Sequence, residues 1–165
     1  MVDDYKYLLL THGIPGAGKS TFIAKCFGKR TDTKIICPDD IREEFAYKKD
    51  DWKDAFEYLI WKIANKRITE SLQTNRITIV DATFICRKDI LKQYKQMNRI
   101  NPNIKFLIID FSKKSLEDCL KNNRKRYENG GRFVPEDVIK NMYQRIKRTK
   151  LLEFEPMTIS YKEMK

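Results

Sequence analysis

The stretch GIPGAGKST at residues 13–21 constrains the fold of this chain more than any other feature. It matches G-x-x-x-x-G-K-[ST], a pattern whose glycines let backbone N–H groups curl around phosphate oxygens. The apolar run YKYLLLTH (5–12) before it predicts a buried strand, and STFIAKCFGK (20–29) after it predicts a helix. Because strand, glycine loop and helix follow in this order, the pattern predicts a phosphate-binding loop rather than an ordinary glycine-rich turn.

The residue types of this loop suit a nucleotide. Lys19 can neutralise the β- and γ-phosphates of ATP, and Ser20 can offer its hydroxyl to Mg²⁺, while the helix directs its N-terminus at the anion. We therefore predict ATP and Mg²⁺ as cofactors. The predicted contacts to the nucleotide come from the whole loop: Gly13, Ile14, Pro15, Gly16, Ala17, Gly18, Lys19, Ser20 and Thr21.

Strands alternate with helices along the rest of the chain. The sequence predicts further strands at 33–37, 76–81, 103–110 and 157–162, and helices at 41–47, 87–97, 115–127 and from Pro135 onward. Asp50 and Asp51 are predicted to cap a long helix whose apolar stripe begins at Trp52. This order predicts one α/β domain over residues 1–165, with a parallel sheet of four to five strands flanked by helices.

Composition narrows the functional classes. No apolar run approaches a membrane span, and the N-terminus lacks the basic region of a secretory signal, so we expect a cytoplasmic protein without membrane contact. The four cysteines form no CxxC pair and there is one histidine, so no zinc site is predicted. The net charge is +11, and residues 121–150 hold ten basic and three acidic residues. This basic segment is either a pair of solvated helix faces or an element that faces phosphates.

Proteins with this phosphate loop include GTPases, motors and kinases. A GTPase should carry N-K-x-D after a later strand, but the only NK pair, Asn65-Lys66, is followed by Arg67-Ile68. A motor normally needs a larger chain. A small kinase is the class that remains.

The stretch CPDDIR at residues 37–42 places two carboxylates and an arginine just past the second predicted strand. Ligands of such folds bind beyond the carboxyl ends of the strands, so this stretch lies at the same edge as the phosphate loop. A kinase needs a base near the acceptor hydroxyl and a group that holds the acceptor, which an aspartate and an arginine supply. Helix capping by Asp39 or Asp40 is the alternative, although capping leaves Arg42 unexplained.

Four segments in this order resemble the kinase module of 5′-OH polynucleotide kinases from phage and bacterial nucleic-acid repair systems. They are GIPGAGKST, PDDIR, VDATF (80–84) and NNRKRY…RFVPEDVIKNMYQR (122–145). The resemblance covers most of residues 5–150. It implies a P-loop NTPase fold with a helical lid at about 115–148, and transfer of the ATP γ-phosphate to 5′-OH ends of DNA or RNA.

On the acceptor side, the resemblance implies a role for each matching residue. Asp39 would be the general base, and Arg42 would clamp the acceptor's 3′-phosphate. Asp40 matches no catalytic residue, so we predict that it caps a helix. Asp81 would support the site from its centre, either by reaching Mg²⁺ through water or by orienting Arg42 or Ser20. Thr83, in the same VDATF segment, is predicted to contact the substrate.

On the donor side, the resemblance implies that Lys19 and Ser20 hold ATP and Mg²⁺ and that Arg126 is the lid arginine on the ATP phosphates. The lid of this chain is longer, with YENGGR between Arg126 and Phe133. Arg124 and Arg132 are therefore alternatives for the phosphate contact.

Two other functions stay open. A small-molecule kinase of the nucleoside, nucleotide or shikimate type reuses the same core, and a non-catalytic P-loop regulator would bind ATP without transferring phosphate. The resembling enzymes often carry a phosphatase or ligase domain, so here we expect any such end-repair activity on a separate chain. They also self-associate, which makes a homo-oligomer compatible with the resemblance.

Overall fold

The computed structural model describes residues 5–45 and 54–164. One sheet contains β1 (Tyr7–His12), β2 (Thr33–Ile36), β3 (Ile77–Val80), β4 (Lys105–Asp110) and β5 (Thr158–Ser160), in the order β2-β3-β1-β4-β5. All four pairings are parallel. The predicted parallel sheet of four to five strands is confirmed. The predicted cap at Asp50 and Asp51 and the start of the stripe at Trp52 lie outside the described residues.

The described helices follow the predicted order. They are α1 (Lys19–Phe27), α2 (Pro38–Glu44), α3 (Asp54–Thr74), α4 (Arg87–Ile100), α5 (Leu116–Glu128) and α6 (Glu136–Arg148), with a 3₁₀ helix at Leu152–Met157. The sequence did not predict the 3₁₀ helix. The prediction that α2 begins at Ile41 is wrong, because Pro38 already has the backbone φ of a first helical turn. Pro135 is the N-cap of α6 rather than its first helical residue.

Helices cover both faces of the sheet. Side chains of a strand alternate between faces, so Leu8 and Leu10 of β1 join one core and Leu9 joins the other. The first core packs against α3 and α4, and the second against α1, α5 and α6. Buried α3 residues of the first core recur at helical spacing: Ile60, Ala64, Ile68 and Leu72. Each fully buried leucine or isoleucine contributes about 1.5–3 kcal/mol, so these two cores stabilise the sheet from both sides.

The topology gathers three chain segments at one edge of the sheet. Because all strands run parallel, the segments that follow β1, β2 and β3 leave from the same end. Thr11 Oγ1 donates to Ala82 O at 2.8 Å, and His12 Nδ1 hydrogen-bonds to Phe84 O. The segment after β3 is therefore held against the end of β1, where His12 is buried.

The helices of the described part of the chain do not include one that is both long enough and apolar enough to cross a membrane.

Candidate active site

The phosphate loop depends on two glycines with positive φ. Gly16 has φ 80° and Gly18 has φ 88°, a region that residues with a Cβ avoid. A Cβ at Gly16 would also lie 2.1 Å from Cys119 O of α5. Asn122 Nδ2 donates to Gly16 O at 2.9 Å. The first turns of α5 therefore hold the loop in a shape that leaves room only for glycine at position 16.

Lys19 lies inside the loop that precedes it. Lys19 is buried, with 8% of its surface exposed, and its Nζ donates to Ile14 O at 2.9 Å. Burial lowers the pKa of Lys19 to about 8, although the negative charge of Asp81 opposes the shift. A buried ammonium with few solvent contacts is a strong site for an anion, as a phosphate-binding lysine requires.

Ser20 and Asp81 meet beside Lys19. The Ser20 side chain hydrogen-bonds to the carboxylate of Asp81, the residue directly after β3. Burial raises the pKa of Asp81, while the hydrogen bond from Ser20 and the charge of Lys19 oppose that rise. A hydroxyl and a buried carboxylate thus face each other at the N-terminus of α1.

These two oxygen-bearing groups fit a magnesium ion. Mg²⁺ prefers oxygen ligands and is usually held by one or two protein groups together with substrate phosphates and water. Ser20 and Asp81 would supply those protein groups. Within residues 5–45 and 54–164 there is no group of three or more His, Cys, Asp or Glu side chains that could hold a metal. The donor set therefore suits an ion carried largely by phosphates rather than one enclosed by protein.

Asp39 and Asp40 lie in the first turn of α2. The N-cap of this helix is Cys37, so the prediction that Asp40 caps the helix is wrong. The physical reason is Pro38, which starts the helix early and moves both carboxylates inside it. Both charges still lie near the positive end of the helix dipole, where they are favourable. A capping role therefore does not account for either aspartate.

Asp39 is the point where two arginines from different parts of the chain meet. Its carboxylate accepts hydrogen bonds from Arg42 Nη1 of α2 and from Arg132 Nη1 of the segment between α5 and α6. Arg42 is itself held by Glu57 of α3, with Nε–Oε1 at 2.8 Å and Nη2–Oε2 at 2.6 Å. The Arg42 side chain is 18% exposed and that of Asp39 is 48% exposed. Asp39 is therefore oriented by arginines yet open to an incoming hydroxyl group.

The predicted lid, residues 115–148, comprises α5, α6 and the segment between them, and buried Asn123 ties these parts together. Asn123 Nδ2 donates to Val134 O at 2.8 Å, and its Oδ1 accepts from Val134 N at 3.2 Å. The same oxygen accepts from Arg126 Nη2 at 3.1 Å. Burial and the positive charge of Arg132 lower the pKa of Arg126. Two lid arginines therefore lie close enough to repel each other beside the phosphate loop.

The structure separates the three candidate lid arginines. Arg126 and Arg132 lie near Asp39, and the charge of Arg126 also acts on Lys19. Arg124 instead pairs with Glu136 of α6, with Nε–Oε1 at 2.6 Å, and is exposed. Arg124 is therefore not part of the Asp39 cluster, which consists of Asp39, Arg42, Arg126 and Arg132.

Several site residues were not singled out from the sequence. Glu57 had no local signal, because it is an ordinary polar position of a long helix. Asn122 and Asn123 lie in the segment NNRKRY, where the resemblance implies roles for the arginines only. Thr83, the predicted substrate contact, instead lines a separate cavity between the segment after β3 and helices α3 and α4.

A family model matches most of the chain. The model of the AAA_33 family, described as an AAA domain, matches residues 8–149. The match includes the phosphate loop, α2, β3, α5 and α6. Together with the parallel sheet, it confirms the predicted α/β P-loop NTPase fold.

Individual proteins are similar over large parts of the chain. L-seryl-tRNA(Sec) kinase of Methanococcus maripaludis is 33% identical over 146 residues, covering 84% of this chain and 51% of the relative. A chain of the Pnkp1/Rnl/Hen1 RNA repair complex superimposes with a TM-score of 0.77 at 22% identity, covering 90% of this chain and 46% of that chain. A gluconokinase from Sinorhizobium meliloti 1021 has a TM-score of 0.52 at 16% identity, covering 94% and 82%. The chain thus spans about half the length of the first two, and the two solved structures are similar in fold.

Proposed function

Because the chain belongs to the AAA_33 family and is a P-loop kinase domain that uses an ATP-type nucleotide, we propose that it phosphorylates 5′-hydroxyl ends of RNA or DNA. One observation carries this proposal. A half-exposed carboxylate, Asp39, lies between two arginines at the same sheet edge as the Lys19 loop. That arrangement offers a proton acceptor beside cations that suit a phosphate-bearing acceptor.

The proposed reaction assigns a task to each part of the site. The acceptor oxygen attacks the γ-phosphorus of ATP, and the bond from that phosphorus to the β–γ bridging oxygen breaks, which releases ADP. The proton of the acceptor hydroxyl passes to a carboxylate oxygen of Asp39. Lys19 and Arg126 neutralise the negative charge on the transferring phosphoryl group. Mg²⁺, held by Ser20 and Asp81, would neutralise charge on the β- and γ-phosphate oxygens when it is bound.

Arg42 and Arg132 favour an acceptor that carries its own phosphate. Glu57 takes two of the donor groups of Arg42, so Arg132, which is more exposed, is the more available contact for a phosphate of the acceptor strand. The segment 121–150, to which Arg126 and Arg132 belong, holds ten basic and three acidic residues. Such a surface attracts a polyanion more strongly than a neutral sugar.

The names of the similar proteins support an RNA acceptor. One is a kinase of seryl-tRNA, and another belongs to an RNA repair complex. The 33% identity to the first makes the serine hydroxyl of a seryl-tRNA the second candidate acceptor.

One transfer assay separates these acceptors. ATP labelled at the γ-phosphate is incubated with a 5′-OH RNA, a 5′-OH DNA, a seryl-tRNA, a nucleoside 3′-phosphate and a free nucleoside. The matched control is the same RNA already phosphorylated at its 5′ end. We expect label on the 5′-OH strands and none on the control. Label on seryl-tRNA alone, or equal use of the free nucleoside, would contradict the proposal.

The salt dependence of the binding affinity gives a second test of the acceptor. Affinity for a single strand should fall as salt rises, with a slope of about −0.7 per phosphate contacted. An affinity that does not change with salt concentration would favour a small neutral acceptor.

A further inference from the structure

A basic surface lies where the end of α6 meets the start of α4. Thr149 Oγ1 donates to Ile85 O at 2.8 Å, and Arg145 Nη2 donates to Cys86 Sγ at 2.8 Å. Five exposed basic residues belong to the chain segments that these two contacts join. We call them the α4–α6 surface: Arg87, Lys88, Arg145, Arg148 and Lys150. The reaction proposed above uses none of them.

Acidic side chains of the protein balance few of these charges. Arg87 pairs with Glu153, with Nε–Oε1 at 2.5 Å. Lys88, Arg148 and Lys150 form no ion pair with another residue in the described part of the chain. Arg145 likewise has no acidic partner there, and its recorded contact is to the sulfur of Cys86. Four of the five cations are thus available to an anion from outside the chain.

Helix stability explains only part of this arrangement. Arg145 and Arg148 lie in the last turn of α6, where a positive charge is favourable. Arg87 and Lys88 instead begin α4, at the positive end of its dipole, where a positive charge is unfavourable. Asp89 is the one acidic residue of that first turn. A bound anion would offset the unfavourable placement of the α4 cations.

The segment after β3 connects the α4–α6 surface to the candidate active site. It begins at Asp81, which bonds to Ser20 and feels the charge of Asp39. Cys86, which contacts the surface, comes five residues later, and five residues of chain span at most about 18 Å. Neighbouring phosphates of a stacked strand are about 3.4 Å apart along its axis, so about five nucleotides cover this distance. A strand with its 5′ end in the site is therefore long enough to reach the surface.

We propose that the α4–α6 surface binds backbone phosphates of the acceptor strand downstream of its 5′ end. Exposed lysine and arginine side chains without acidic partners suit a row of phosphates, and they carry no information about base sequence. This inference rests on the proposed function, because it extends the same acceptor site from one nucleotide to a strand. It makes acceptor choice depend on length: a nucleoside 3′-phosphate is too short to reach the surface, whereas a strand of about ten nucleotides engages it.

The first test removes three charges of the surface and compares a long acceptor with a short one. The triple variant Lys88→Gln, Arg148→Gln and Lys150→Gln leaves the bonded Arg87 and Arg145 in place. With a 5′-OH RNA of about ten nucleotides, loss of three exposed ion pairs should raise KM by roughly 3- to 150-fold with kcat unchanged. The KM for a nucleoside 3′-phosphate should stay near wild type.

The matched control removes the same net charge elsewhere. It is the triple variant of three exposed lysines on α1, on the segment after it and on β2: Lys25→Gln, Lys29→Gln and Lys34→Gln. Both KM values of this control should stay near wild type. An equal rise in KM in the two triple variants would overturn the assignment, because it would show an effect of net charge rather than of a surface.

A binding measurement keeps the two proposals distinguishable. Fluorescence anisotropy of a 3′-labelled RNA that already carries a 5′ phosphate reports binding without transfer. The slope of log affinity against log salt should be about 2 less steep in the Lys88, Arg148 and Lys150 triple variant, at about 0.7 per phosphate contact, and unchanged in the control. If this loss occurs but no strand is phosphorylated, the proposed function fails and the surface assignment stands. If strands are phosphorylated but the triple variant keeps the wild-type KM and salt slope, the assignment is overturned and the proposed function stands.

Discussion

Replacing Lys19 by methionine should make the protein more stable while abolishing phosphoryl transfer. Methionine fills a similar volume without a charge, so Lys19→Met tests the cost of burying the ammonium. Burial lowers the pKa of Lys19 from 10.5 to about 8, which corresponds to about 3 kcal/mol at pH 7, taking about 1.4 kcal/mol per pKa unit. The variant loses the hydrogen bond to Ile14 O, worth about 1 kcal/mol. The net gain should be about 2 kcal/mol.

The pH dependence of this gain identifies its cause. The folded-state pKa of Lys19 lies below the unfolded value, so burial of the charge destabilises the wild-type protein fully below pH about 8. Between pH about 8 and 10.5 the unfolded chain holds a proton that the folded protein has released. Wild-type stability therefore rises through this window relative to the variant. The gain from Lys19→Met should shrink accordingly.

Urea titrations at pH 7 and pH 9.5, without nucleotide, measure the gain, and a transfer assay at pH 7 measures activity. Lys25→Met is the matched control, because it removes an exposed lysine from the same helix. It should change neither stability nor transfer by much. The reasoning would be refuted if Lys19→Met were less stable than the wild type at pH 7. It would also be refuted if the gain in unfolding free energy were the same at pH 7 and pH 9.5. Transfer near the wild-type rate would refute the role of the loop.

Two further outcomes are expected. Gly16→Ala should destabilise the protein by well over the ~1 kcal/mol expected of Gly130→Ala, as urea titration would measure. Both glycines have positive φ, 80° for Gly16 and 79° for Gly130. A Cβ at Gly16 would lie 2.1 Å from Cys119 O, whereas a Cβ at Gly130 would meet no described atom within 4 Å. Equal losses of stability in the two variants would contradict this reasoning. Arg126→Ala should lower kcat by roughly 10³-fold or more, while Arg124→Ala should cost less than about tenfold. Steady-state kinetics of the two variants checks this, and the reverse order would assign the lid contact to the wrong arginine.

Local patterns were enough to predict the sheet and the phosphate loop. The loop's residue types and spacing follow from phosphate chemistry, and the strands are short apolar runs between helical patterns. The residues that determine the loop, and those that determine each strand, lie within about ten positions of one another along the chain. The predicted start of α2 at Ile41 lies three residues after the observed start, because Pro38 favours the first helical turn and so places Asp40, the predicted cap, inside the helix.

The lid could not be resolved from spacing alone. Arg124 and Arg126 are two residues apart on α5, so they point to different sides of the helix. Arg126 lies three residues from Asn123, on the side that faces the site, while Arg124 pairs with Glu136. Which side faces the phosphate loop depends on how α5 packs, and that is a tertiary property.

Long-range contacts account for the rest of what the sequence did not predict. Arg132 and Asp39 are 93 residues apart, and Arg42 and Glu57 are 15 residues apart. No periodicity links such pairs, because their separation reflects the path of the chain between elements. Ion pairs of this kind are visible only once the strand order places α2, α3 and the lid at one edge.

Single-turnover transfer by Asp39→Asn tests the central claim most directly. Asparagine keeps the size of the side chain and can still accept from Arg42 and Arg132, but it cannot take the proton of the hydroxyl. With a 5′-OH RNA and saturating ATP, the rate should fall by about 10²–10⁴-fold while ATP affinity and the urea midpoint stay near wild type. Asp40→Asn, from the same helical turn, should retain a rate within a few-fold of wild type. A wild-type rate for Asp39→Asn would contradict the account, and a large loss in Asp40→Asn beside it would show that the neighbouring carboxylate is the base.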